Sequence, residues 1–132
     1  MIEHAEILEV AKQARGDFEA GSIDRDLLSE LYLEYNPKVR DIDLLLEHAA
    51  KLFPSWNCGL ASVYVRHLLG DGIPKVGKFR GMGHTVLVLD ARIADITADQ
   101  FGGPKIYVGS VIEPWELVEP RHLQTKPHLL ES

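Results

Sequence analysis

One cysteine, Cys58, stands in a chain of 132 residues. A lone thiol makes no intramolecular disulfide and no thiolate-rich zinc centre. It either fills a core gap as a small apolar side chain or works as a nucleophile. Asn57-Cys58-Gly59 follows Pro54 and opens an apolar run. That order predicts a helix beginning at Cys58. Asn57 is read as its N-cap, with the side-chain oxygen accepting from a first-turn amide. A thiol in a first turn meets unpaired amides and the positive end of the helix dipole, and such a setting favours the thiolate. Gly59 is expected to leave space beside the sulfur, and nearby backbone amides are candidate oxyanion donors.

Two further groups suit a cysteine nucleophile. His84 follows Gly83 and heads the β-prone run Thr85–Leu89. An imidazole at the edge of a buried strand could take the thiol proton, or sit as a cation beside the thiolate. Asp95 lies on the next predicted strand. If Asp90-Ala91 is a tight turn, paired positions sum to about 180 or 181, and Asp95 falls opposite Thr85 or Val86. A carboxylate there could orient the imidazole and stabilise its charged form. The competing role for His84 is an ordinary strand-edge ring, and for Asp95 a hairpin-end carboxylate bonded to backbone. Asp90 belongs to the turn, and Asp99 is the reserve candidate. Gln100 is either a donor to a substrate carbonyl or to the oxyanion, or an ordinary polar loop residue. Trp56 is a groove wall or a core ring.

The remaining signals are weaker. His48, His67 and Arg66 show no paired ligand spacing, and no second histidine lies close to His84 and Asp95, so no metal and no cofactor is expected. Gly70-Asp71-Gly72 and Gly102-Gly103-Pro104 are turn sequences without the lysine of a phosphate loop. The chain has 20 acidic and 14 basic residues, a formal charge of −6. That balance argues against nucleic acid as the main partner. The acidic start has no apolar leader, and apolar runs are too short for a membrane span, so a cytoplasmic chain without membrane partners is expected. Oligomeric state is left open.

The elements that must position these groups divide near residue 70. Apolar spacing predicts helices over Met1–Ala20, from a Ser22 cap to about Asn36, over Lys38–Phe53, and over Cys58–Leu69. Strands are predicted at Ile73–Phe79, His84–Leu89, Arg92–Ile96, Lys105–Val108 and Trp115–Val118. Residues 1–53 form a helical part and 121–132 a loosely held tail. The length fits one domain spanning 1–132, and the order gives an α+β fold: N-terminal helices, then a central cysteine-bearing helix packed on a small antiparallel sheet.

Cysteine at a helix start, histidine heading an apolar strand and aspartate on the next strand resemble the papain-like superfamily. Within it the transglutaminase-like cysteine proteins are the nearest likeness. The segments that carry it are Cys58-Gly59-Leu60-Ala61-Ser62, Gly83-His84-Thr85-Val86-Leu87-Val88 and Asp95-Ile96-Thr97-Ala98-Asp99-Gln100-Phe101. The resemblance implies a papain-like fold, with Cys58 as nucleophile, His84 as base and then acid, and Asp95 orienting it. It implies a thiol hydrolase or acyl-transfer enzyme acting on a peptide, isopeptide or side-chain amide through a thioester. The alternative is an inactive immunity or adaptor module that binds a protein partner on the same scaffold.

Overall fold

The computed structural model describes residues 2–117, and the expected tail at 121–132 lies outside them. Four helices come first: α1 (His4–Ala20), α2 (Arg25–Tyr35), α3 (Ile42–Leu52) and α4 (Cys58–Leu69). Five strands follow: β1 (Ile73–Phe79), β2 (Met82–Leu89), β3 (Arg92–Asp95), β4 (Tyr107–Ser110) and β5 (Trp115–Leu117). The strands form one antiparallel sheet in the order β4-β3-β2-β1-β5. This is an α+β architecture. The first four strands meander, and β5 returns to the outer edge of β1.

Helix boundaries follow local chemistry. α1 runs through Gly16 and stops at Gly21, whose left-handed φ of 64° lets its N–H bond back to Asp17 and Phe18 carbonyls. Ser22 does not cap α2. Its hydroxyl turns back to the Asp17 carbonyl, and Asp24 caps instead, accepting from Asp26 N. The third helix starts later than its apolar pattern suggests, because Asp41 takes the Leu44 amide and sets the first turn. α4 has the expected limits and ends at left-handed Gly70.

The sheet has two packed faces. Leu87, Leu89, Ala94 and Ile96 meet Ile7, Ala11 and Ala14 of α1 and Ala61, Tyr64 and Val65 of α4. A second core lies on the other face, where Phe79, Val86 and Ile93 meet Ala98 and Trp115. A third joins α2, α3 and α4 through Tyr32, Leu46, Ala49 and Leu60. α4 therefore lies between the sheet and the pair α2 and α3, and every residue from Cys58 to Val65 is buried. Arg15, itself buried, ties α1 to the segment after β3. Its guanidinium bonds Asp99 at 2.7 and 2.9 Å and the Ile96 carbonyl at 2.8 Å. Asp99 is thus committed to Arg15.

β5 lies close against β1. A Cβ built on Gly77 would fall on the Glu116 carbonyl oxygen. Gly77→Ala is expected to push β5 outward and destabilise the chain by about 1–3 kcal/mol, read as a lower urea midpoint. A change within about 0.5 kcal/mol, the range of neutral surface substitutions, would show that β5 yields without cost.

Candidate active site

The β2–β3 hairpin brings His84 and Asp95 to one face. Observed partners are Leu87 with Ala94, Val88 with Ile93 and Leu89 with Arg92. Continuing that register puts Asp95 opposite Val86, on the face His84 shares by the two-residue period of a strand. Diagonal neighbours on one face lie within reach of long side chains. His84 Nε2 and Asp95 Oδ2 are 2.7 Å apart. Both residues are buried, at 1% and 3% exposure. β2 starts at Met82, so His84 lies inside the strand rather than at its first position.

Asp95 is held by three donors. Trp115 Nε1 donates to Oδ2 at 2.8 Å, and the Thr97 amide donates to Oδ1 at 2.9 Å. With the His84 bond, both oxygens accept. Bonds on both oxygens fix the rotamer of the carboxylate. Trp115 was legible only as part of a last strand. Thr97 falls in the Asp95-Ile96-Thr97 segment, where a carboxylate can bond the amide two residues on.

Cys58 is the second group acting on the imidazole. Burial lowers the His84 pKa, but hydrogen bonding and charge from Asp95 and from Cys58 outweigh it and raise it to about 9. Asp95 occupies Nε2, which leaves Nδ1 as the nitrogen for the thiol. Nδ1 has no hydrogen-bond partner among the described residues. Cys58 is fully buried. The rings of Phe79 and Phe101 stand edge-on to His84, with centroids at 6.3 and 5.4 Å. The imidazole is thereby shielded from water on its flanks.

No protein-family model, curated protein or solved structure matches this chain. Its chemistry rests on its own geometry.

Two of the expected supporting roles change. Asn57 does precede the helix, but its side chain does not cap it. Nδ2 instead donates to the carbonyls of Ala49 and Ser55, each at 2.8 Å, and pins the helix start to α3. Gly59 does not leave open space: a Cβ there would meet the Tyr32 ring at 3.0 Å. Its smallness serves close contact between α4 and α2. Trp56 is 49% exposed and stands edge-on to His48, so it is a surface ring and not a core one. Its φ of 69° is left-handed, a backbone state that costs a non-glycine residue energy. The strained residue lies two positions before the thiol. Gln100, in the short 3-10 helix Ala98–Phe101, has a buried Nε2 without a hydrogen-bond partner among the described residues. That donor is one residue from Phe101, against the imidazole. Asp90 bonds Arg92 at the hairpin turn.

Among the described residues, no group of three or more His, Cys, Asp or Glu is placed to hold a metal ion. No helix among them is long and apolar enough to cross a membrane.

Proposed function

We propose that this chain is a cysteine-dependent hydrolase or acyl-transfer enzyme with a Cys58–His84–Asp95 triad, of papain-like and specifically transglutaminase-like kind. The observation that carries the reading is the buried His84–Asp95 bond of 2.7 Å on a ring that Cys58 also acts on. Structural ion pairs also perturb histidines. What favours chemistry here is the third member, a thiol in the first turn of a helix.

The proposed sequence of events is short. With the Cys58 proton resting on His84, the thiolate attacks an amide carbonyl carbon, and the carbon–sulfur bond forms as the carbonyl π pair moves to oxygen to give a tetrahedral oxyanion. First-turn amides of α4 are the candidate donors to that oxygen. The His84 imidazolium gives its proton to the departing nitrogen as the carbon–nitrogen bond breaks, leaving a thioester. Water or an amine then attacks the thioester, losing its proton to His84, and the sulfur leaves. Water gives hydrolysis and an amine gives transamidation. Asp95 stabilises the imidazolium throughout, and the substrate is a peptide, isopeptide or side-chain amide. The buried thiol requires local opening near Trp56 before a substrate reaches it.

The test is alkylation by iodoacetamide, followed by mass spectrometry at pH 6–7. Because Cys58 is buried, the signature is the pH dependence: its rate is expected to change little between pH 7 and pH 6, where that of free cysteine falls about tenfold, and His84→Gln to restore that fall. Cys58→Ala should abolish labelling and cost about 1–2 kcal/mol, the loss of a buried side chain and of its contact with His84. A rate that falls with pH as that of free cysteine does would favour a core thiol and the second reading. That second reading is a binding module of immunity or adaptor type, and the complete burial of Cys58 is the observation on its side.

A further inference from the structure

A cavity of about 380 Å³ lies among the helices, on the side of α4 away from the sheet. Phe18, Leu28, Leu46, Phe53 and Leu60 are the large apolar residues of its wall, with Ile23. Leu60 is two residues beyond Cys58, so the two side chains leave α4 in nearly opposite directions. Cys58 itself does not line the cavity, although its neighbour Asn57 does. Its volume falls in the range of small-molecule sites, whereas voids left by core packing seldom exceed a water molecule.

The charges around it are unequal in their commitments. Arg25 and Glu47 also line the cavity. Arg25 is bridged to Asp43 at 3.1 Å, and Glu47 to Lys51 at 3.3 Å. Arg15 stacks over the Phe53 ring at 4.7 Å, but it is held by Asp99 and Glu19. Asp17 is different. This half-buried lining carboxylate accepts from the Tyr64 hydroxyl at 2.7 Å and has no cationic partner among the described residues. It sits in the last turn of α1, where no basic residue offsets the negative end of the helix dipole. Gly21, the α1 cap, lines the same cavity. A carboxylate and a helix C-terminus thus converge on the rim of an apolar chamber with two aromatic rings, Phe18 and Phe53, stacked 5.3 Å apart.

We propose that this cavity binds a small organic cation with an apolar body, an ammonium carried on an aliphatic or aromatic group. The apolar body fills the space between Leu28, Leu46 and Leu60. The ammonium lies at the Asp17 end, where it donates to the carboxylate and meets the α1 carbonyl dipoles. An anionic head would face Asp17 without a free cation to answer it, because Arg25 is already bridged. The site does not depend on thiol chemistry.

Titration calorimetry of the full chain with octylammonium, octan-1-ol and octanoate tests this. Octylammonium is expected to bind at one site, about tenfold more tightly than octan-1-ol, with octanoate weakest. Asp17→Asn keeps an acceptor for Tyr64 and is expected to erase the preference for ammonium while leaving the alcohol unchanged. Ala50→Phe, at an exposed lining position, should block all three. Cys58→Ser should bind as the parent chain does, which separates this result from the fate of the triad. No saturable binding, equal affinity for the three heads, or a preference that survives Asp17→Asn would overturn the proposal. Should the Asp17 variant not fold, the head-group series on the parent chain still decides it.

Discussion

Asp95→Asn is expected to destabilise the chain by about 3–5 kcal/mol at pH 7, the cost of leaving one member of a buried ion pair without its partner. The substitution is nearly isosteric, so the effect is chemical. Both Asp95 oxygens accept, Oδ2 from His84 and Trp115 and Oδ1 from Thr97. An asparagine has one oxygen. If its amide group takes the Oδ2 position, His84 can change tautomer, but the Trp115 N–H faces another donor. If the amide is flipped, the Thr97 N–H does. Either way a buried donor is left unsatisfied and the imidazolium loses its counter-charge. Asp90→Asn is the matched control. Asp90 is an exposed turn residue paired with Arg92, and its left-handed φ of 58° suits asparagine. That variant should stay within about 0.5 kcal/mol of the parent. Urea unfolding of all three chains makes the comparison. If Asp95→Asn loses less than about 1 kcal/mol, the net value of an ordinary hydrogen bond, His84 and Asp95 are not a buried ion pair.

The same substitution separates stability from reactivity. If His84 is cationic because of Asp95, the variant should also lower the alkylation rate of Cys58 at neutral pH. A core thiol with no catalytic partner would be stabilised or destabilised along with its surroundings, but would show no such dependence on a carboxylate that lies across the imidazole from it.

Much of this site was legible because its signals are local. Pro54 and Gly70 bracket α4, so the address of Cys58 could be read from sequence. The two-residue Asp90-Ala91 turn fixes the hairpin register, and the observed pairs, such as Val88 with Ile93, sum to 181. That arithmetic put Asp95 within reach of His84. What was not legible depends on residues distant along the chain. Asn57 could cap a helix or bond another carbonyl, and only the packing of α3 brings Ala49 near enough to win its amide. The space beside Gly59 looked open until α2 placed Tyr32 in it. Trp115 reaches Asp95 because β5 crosses back to β1, a return that no periodicity announces. The central helix and antiparallel sheet were foreseen as a class. Which sheet face carries the histidine was not, because a strand buried on both faces gives no alternation to read.

Stability should fall as the pH rises from about 6.5 to about 9, and His84 is the reason. In the unfolded chain its proton leaves near the ordinary histidine value of about 6.5. In the folded chain the proton is held until about 9. Below about 6.5 both states carry it, and the stabilisation from Asp95 and Cys58 is present in full. Between the two values the folded state binds a proton that the unfolded state has released, so stability declines by about 1.4 kcal/mol per pH unit. Above about 9 that contribution is gone, a total loss on the order of 3 kcal/mol. The Asp95→Asn chain lacks the main group that raises the pKa, so its stability should vary much less across the window. Urea midpoints at pH 6, 7.5 and 9.5 for both chains measure the difference. Histidine carbon-bound proton shifts in the folded parent should show one ring titrating near 9. A parent whose stability is flat or rising over this range, with no histidine titrating above 8, would mean that His84 is neutral in the fold. His84 would then have to take the Cys58 proton during attack, and a resting thiolate–imidazolium pair would be excluded.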